Sequence, residues 1–415
     1  MGTGNKEMRK TFISVCCVFC FVLLVRNFEA RVKKEDTFIT VSAGSINRRE
    51  SVVAFNLPKQ FTGKSYVLRD DAGKLTQLQI DADRHATFVL PELNANSSKR
   101  YRLEEYTPSH DSSSNNVQLL REGDRLSIKL GGRQILGYQA QPSQPPSPNI
   151  KPIFKRGGYI YPVLTPSGRN VTDDYPPDHY HHHGIWFAWT KTEFEGRHPD
   201  FWNMGDGTGT VLFDELDQTW SGPVDAGFKA KNSYVDVSAP TAKTVLDEDW
   251  QVVVYSVGQG SKPYTMFDLV FTQRLKTPDA LVLPEYRYGG MGYRGPREWL
   301  PKDNFFFLTS EGKDRNDGNG TRAKWCHMSG KVDGQIAGVA ILDHPSNFRA
   351  PQPIRINPDQ PFFCYSPSVM GEWKIDPGTT YISRYRYIVS DGPPNKEELD
   401  RMWNDYANPP QVTIK

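Results

Sequence analysis

Leu126-Ser127-Ile128-Lys129-Leu130-Gly131-Gly132 is the stretch whose pattern is clearest. Apolar and polar residues alternate, so Leu126, Ile128 and Leu130 share one face of a strand, and the paired glycines supply a hairpin turn. The same pattern recurs on both sides. Upstream, residues 38–41, 52–57, 66–69, 87–90 and 99–103 are short strand-like runs bounded by turn residues, the spacing of a small β-sandwich. Downstream, residues 159–164, 185–189, 251–257, 265–275, 280–283, 304–308, 336–342 and 381–389 continue it, with no helical period among them. The predicted fold is all-β: a small N-terminal sandwich over residues 37–108, a Ser/Asn-rich linker over 109–116, and a large sandwich over 117–408. One helix is expected, at residues 395–406. Asn395 caps it, Glu398 completes a capping box, and Leu399, Met402, Trp403 and Tyr406 form its packing stripe.

The first thirty residues read differently. Lys6, Arg9 and Lys10 precede an apolar run over 11–25 that Arg26 ends. That is the pattern of a signal peptide over residues 1–30, too short to span a bilayer comfortably, and it implies a secreted or periplasmic chain. An uncleaved anchor is the alternative. Cys16, Cys17 and Cys20 lie inside this segment, leaving Cys326 and Cys364 with room for one disulfide but no disulfide framework. The net charge of +2 comes from interspersed basic and acidic residues, which excludes a nucleic-acid partner by charge pattern. No further run is long and apolar enough for a stable membrane span. Asn96, Asn170 and Asn319 begin glycosylation sequons.

The candidate chemistry centres on Asp178-His179-Tyr180-His181-His182-His183-Gly184-Ile185-Trp186, which holds four of the nine histidines. It lies where a Pro/Asp-rich loop enters a buried strand. Strand alternation would put His179, His181 and His183 on one face and point His182 with Trp186. Residues 200–209 either offer Trp202 and Asp206 to a sugar or form a turn whose aromatics plug the sandwich. In residues 285–294, alternation would aim Glu285, Arg287 and Arg294 into a cavity, as a base with guanidinium forks or as a structural ion pair. Glu311 and Arg322 flank an expected hairpin turn over 317–320, and His344 follows the strand 336–342. No Gly-x-Ser-x-Gly elbow, zinc-type Cys pair or His-Glu-x-x-His is present.

These residues resemble a known family. Residues 178–188 look like the Asp-His-Pro-His-His-Arg-Gly-(Leu/Ile)-Trp-Phe-Ala signature of the DUF6807 family, often labelled PmoA family. Residues 309–325, 338–351 and 385–392 match further. Tyr180 and His183 stand where Pro and Arg are commoner. The methane oxygenase label would require several apolar spans, which this chain lacks after its leader. The resemblance implies a carbohydrate-active context and a large domain similar to galactose-mutarotase-like supersandwiches.

The resulting expectation is an exported protein acting on a sugar or oligosaccharide by proton transfer, as a lyase, epimerase or mutarotase would. His179 and His182 or His181 would be acid and base, with Glu285 as partner base. Arg287 and Arg322 would orient the substrate, Trp186 or Trp202 would stack on it, and Asp206, Arg294, Glu311 and His344 would complete the contacts. Two alternatives stand beside it. One is a Zn, Cu or Fe enzyme ligated by His179 and His181 with His344 or Asp178. The other is a non-catalytic glycan-binding module. The oligomeric state stays open.

Overall fold

The computed structural model describes residues 37–61, 64–107, 116–142 and 144–415. The expected leader and most of the linker lie outside them. The described chain is all-β, built of antiparallel sheets, with one α-helix, Lys396–Ala407.

Two eight-stranded sheets make the larger sandwich. The first runs, in spatial order, Ile354–Ile356, Phe362–Tyr365, Gly290–Arg294, Ile185–Ala188, Tyr159–Val163, Arg133–Gln139, Arg125–Leu130 and Val117–Glu122. The second runs Gly209–Trp220, Asp225–Asp236, Lys243–Tyr255, Tyr264–Leu275, Tyr381–Asp391, Gln335–Asp343, Trp325–Val332 and Phe305–Thr309. Rings from the two sheets interlock across the core: Phe187 with Phe271 at 4.7 Å, Tyr138 with Phe228 at 4.6 Å, and Tyr365 stacked on Tyr385 at 5.3 Å. Aromatic pairs of this kind add about 0.5–1.5 kcal/mol each beyond the area they bury.

The smaller sandwich sets a five-stranded sheet against a three-stranded one. It has its own core, with Ile39, Val41, Val53, Leu68, Phe88, Leu90 and Tyr101 buried. Its edge strand is Gln411–Ile414, which pairs with Phe38–Ser42. The chain therefore returns at its end to the sheet that begins the described fold.

The helix starts as its sequence indicates: the Asn395 side chain accepts from Glu398 N at 3.1 Å. Leu399 and Met402 are buried against Tyr255, Met266, Trp325, Leu342 and Ile388 of the large sandwich, with Val52 and Val89 of the small one packed beside them. Trp403 Nε1 donates to Asp343 O at 2.8 Å. Asp405 accepts from buried Arg48 at 2.9 Å and from Ser51 at 2.7 Å, which ties the helix to the small sandwich.

Two expectations are corrected. Cys326 and Cys364 are free, each buried in a strand of a different sheet, and the room for one disulfide is not used. Residues 317–320 do not form a tight hairpin turn, because the strands around them pair only from Thr309 and Cys326 outward and a long loop fills the gap. No helix among the described residues is long and apolar enough to cross a membrane.

Candidate functional site

The histidine loop leaves and re-enters the first sheet through a neck. Asp174 bridges to His183, and Gly184 N donates to Asp173 O at 2.7 Å. His183 closes the neck from inside. Its Nδ1 lies 2.7 Å from Asp174 Oδ1, and its ring packs between Tyr159 and Tyr175 at 4.7 and 4.6 Å. Gly184 has φ of +54°, and a Cβ there would lie 2.2 Å from Ile160 O, so only glycine fits. The following strand, Ile185–Ala188, is braced from behind: Arg156 Nη2 donates to Phe187 O at 2.7 Å and Tyr234 Oη lies 2.9 Å from the same oxygen.

Beyond the neck the chain turns twice, with His179 N donating to Pro176 O and His182 N to His179 O. Turns, not an extended strand, set the side chains, so strand alternation fails here. His179 and His182 stack at 4.6 Å with 10° between planes, and His181 stands edge-on to His182 at 4.6 Å. These three cluster, while His183 faces away. His182 does pack on Trp186, at 4.8 Å, as alternation indicated, and Phe362 meets it edge-on at 4.7 Å.

Asp178 links this cluster to the sheet. One carboxylate oxygen accepts from Arg294 Nη2 at 2.7 Å and the other lies 3.0 Å from His179 Nδ1. Burial pushes its pKa up, but the His179 hydrogen bond and the Arg294 charge outweigh it and hold Asp178 at about 2. An ionised carboxylate only accepts. His179 therefore carries a proton on Nδ1, and in the neutral ring the Nε2 lone pair stays available to a ligand. His181, mainly through burial, is lowered to about 3, and His182 falls well below the usual imidazole value for the same reason. Both are neutral near pH 7.

The cluster opens on a cavity of about 150 Å³ lined by His179, His181, His182, Trp202, Asn203, Arg287, Tyr288, Arg355, Asn357 and Phe362. That is room for one ring-sized ligand or the end unit of a longer one. Asn203 is aimed by its amide, which donates to Asp200 Oδ2 at 2.6 Å and Thr190 Oγ1 at 3.0 Å, so its oxygen receives Tyr288 Oη at 3.2 Å. Burial raises the Tyr288 phenol to about 12, so it stays a hydroxyl donor. A larger cleft, about 910 Å³, lies between the sandwiches, lined by Glu50, Gln79, Tyr106 and Val224 among others, and contains none of these histidines.

Of the residues expected from sequence, His179, His181, His182, Trp202 and Arg287 meet at the cavity. Trp186 is fully buried behind His182 and offers no open stacking face. Arg294 is fully buried and holds Asp178. Glu285, Asp206 and Glu311 are exposed and outside the lining. Arg322 donates to Pro351 O and Ala350 O, and His344 packs on Tyr406 at 4.8 Å with Nδ1 2.7 Å from Ser346 Oγ. Alternation over residues 285–294 fails because regular strand begins only at Gly290. The carboxylate beside the histidines is Asp178, not Glu285. Asn203 and Tyr288 lay inside stretches already singled out, whereas Arg355, Asn357 and Phe362 carried no sequence signal. As for a metal, neither His344 nor Asp178 joins His179 and His181 in a three-ligand group among the described residues. Among the described residues only Asp81, Asp83 and His85, all exposed on the small sandwich, bring three ligand atoms within 4.8 Å of one another.

A model of DUF6807, described as a family of unknown function, matches residues 125–404. No curated protein matches. Among solved structures, a heparan sulfate lyase HepC mutant from Pedobacter heparinus is 11% identical with a TM-score of 0.34, over 67% of this chain and 37% of that one. A galactose mutarotase related enzyme from Lactobacillus acidophilus is 9% identical with a TM-score of 0.33, over 67% of this chain and 97% of that one. This chain thus spans little more than a third of the lyase's length. At this distance no residue role passes from those proteins to this one.

Proposed function

The chain belongs to the DUF6807 family, whose function is unknown, and from that premise we propose that it is a carbohydrate-active protein whose histidine cavity moves a proton on a bound sugar. The single observation that carries this reading is the Asp178–His179 pair at 3.0 Å, with His179 lining the cavity. A carboxylate that orients an imidazole and stabilises its charged form is the standard support for a general base. His179 Nε2 accepts the proton. Neutral His181 supplies a donor to the oxygen on which charge develops, and Tyr288, whose proton goes to Asn203 Oδ1, offers its oxygen to a ligand hydroxyl. Trp202 and Phe362 give the apolar walls that a sugar ring's C–H face needs, and Asn203 and Asn357 give hydroxyl partners. The chemistry is proton abstraction beside a carbonyl or at an anomeric hydroxyl. It is not two-carboxylate glycoside hydrolysis, because the lining contains no Asp or Glu. Export through the leader over residues 1–30 is part of the proposal and rests on its basic–apolar pattern; the intact mass of exported protein tests it.

The reading is tested by incubating the full chain with mono- and disaccharides and following anomer interconversion by NMR and unsaturated products by ultraviolet absorbance. His179→Gln should lower turnover by about 10²–10⁴-fold with the fold intact, the usual worth of an acid–base group. Binding of sugars without turnover of any of them would replace the enzyme by a glycan-binding module.

A further inference from the structure

Two guanidinium groups border the cavity, and neither makes an ion pair among the described residues. Arg287 is exposed, and its guanidinium carbon lies 5.6 Å from the Tyr288 ring centre. Arg355 is half-buried. Its Nη1 donates to Asn319 Oδ1 at 3.0 Å and Ile356 O at 2.7 Å, both neutral, while its buried Nε has no protein partner. Burial lowers the proton affinity of Arg355; neighbouring Cys364 raises it and the charge of Arg287 lowers it, so the two cations feel each other. Three other buried arginines each hold a carboxylate, Arg48 with Asp405, Arg294 with Asp178 and Arg386 with Asp268, while fully buried Arg156 holds the Phe187 carbonyl. Two like charges held at one cavity without a counter-charge are unfavourable unless a ligand brings one. A guanidinium fork matches the paired oxygens of a carboxylate or sulfate.

We propose that the ligand of this cavity is an anionic sugar, its carboxylate or sulfate held between Arg287 and Arg355 while its hydroxylated ring faces His179 and Tyr288. The inference rests on the reading of the cavity as a sugar site and adds the charge of the ligand to it. The site then sorts substrates by charge before chemistry.

Isothermal titration of the full chain tests it with three matched sets of methyl glycosides in gluco, galacto and manno configurations: the neutral hexose, its uronate and its 6-sulfate. At low salt at least one anionic form should bind about tenfold or more tighter than its neutral counterpart. Arg355→Gln and Arg287→Gln should each remove most of that preference, read as the ratio of anionic to neutral affinity within each variant, and added salt should weaken it. The uronate and sulfate arms identify the anion. Equal affinity for neutral and anionic sugars, or a preference that survives both substitutions, overturns the inference and leaves the sugar site standing. Binding of no sugar at all overturns both.

Discussion

Asp178→Asn removes one negative charge from between Arg294 and His179, and its effects can be worked out in advance. The Arg294 side chain is fully buried, and its Nε and Nη1 have no protein partner among the described residues, so the 2.7 Å contact with Asp178 is its main charge compensation, with a weaker attraction from Asp173. Breaking a buried ion pair from one side costs about 3–5 kcal/mol, because an unpaired charge stays behind. The Asp178 side chain keeps 21% exposure, which allows some water to the site and places the expected cost near the lower end, about 3 kcal/mol. Sign and window follow from the same geometry. The folded carboxyl sits at about 2, below its ordinary 3.8, so its contribution is complete above pH 3.8 and is lost only as pH falls towards 2. At neutral pH the cost should therefore be constant. Urea denaturation followed by tryptophan fluorescence is a suitable assay, since all nine tryptophans lie between Trp186 and Trp403. Arg294→Met in the Asp178→Asn background should recover part of the loss, because it removes the stranded charge. A single variant as stable as wild type, or a double variant losing the sum of the two single effects, would refute the reasoning.

Other predictions concern the rest of the fold. Leu399→Ala should cost about 2–5 kcal/mol without changing ligand affinity, since it empties a packed stripe between the sandwiches and leaves the cavity alone; calorimetric melting and sugar titration check the two halves. Gly292→Ala should cost about 1–3 kcal/mol, because the new Cβ would lie 2.8 Å from both the Trp186 and Trp202 rings, and a changed tryptophan emission should accompany the loss. His327 is fully buried and lowered to about 3 by burial, so the unfolded chain takes up a proton near pH 6.5 that the folded chain refuses. Stability should thus fall between pH 6.5 and 3 by up to about 1.4 kcal/mol per pH unit from this group, and His327→Gln should flatten the slope measured by urea denaturation at a series of pH values.

The strands that sequence made legible are those buried on one face or both, such as Arg125–Leu130 and Tyr264–Leu275. Gly209–Trp220 was not among them. It is a sheet edge whose Asp214, Glu215, Asp217 and Gln218 face outward, so its run reads as polar loop although its backbone is paired. Gln411–Ile414 is four residues after a Pro-Pro pair, too short to signal anything before its partner Phe38–Ser42 is known. At the site, the histidines drew notice by density alone. Their arrangement did not follow, because a loop closed at its neck by Asp174 and His183 obeys turn geometry rather than strand period. Arg355 and Phe362 come from the far edge of the sheet, and only tertiary pairing brings them beside His179.

The account turns on one proton. Long-range ¹⁵N–¹H NMR of the histidine-labelled full chain, recorded at about pH 8.5, two units above the ordinary imidazole value, reads the tautomer of each ring directly. His179 is expected in the Nδ1–H form, with an unprotonated Nε2 whose shift moves when a sugar is added, and that fixed tautomer should be lost in Asp178→Asn. A His179 ring protonated on Nε2, or an Nε2 signal indifferent to every sugar that binds, would contradict it.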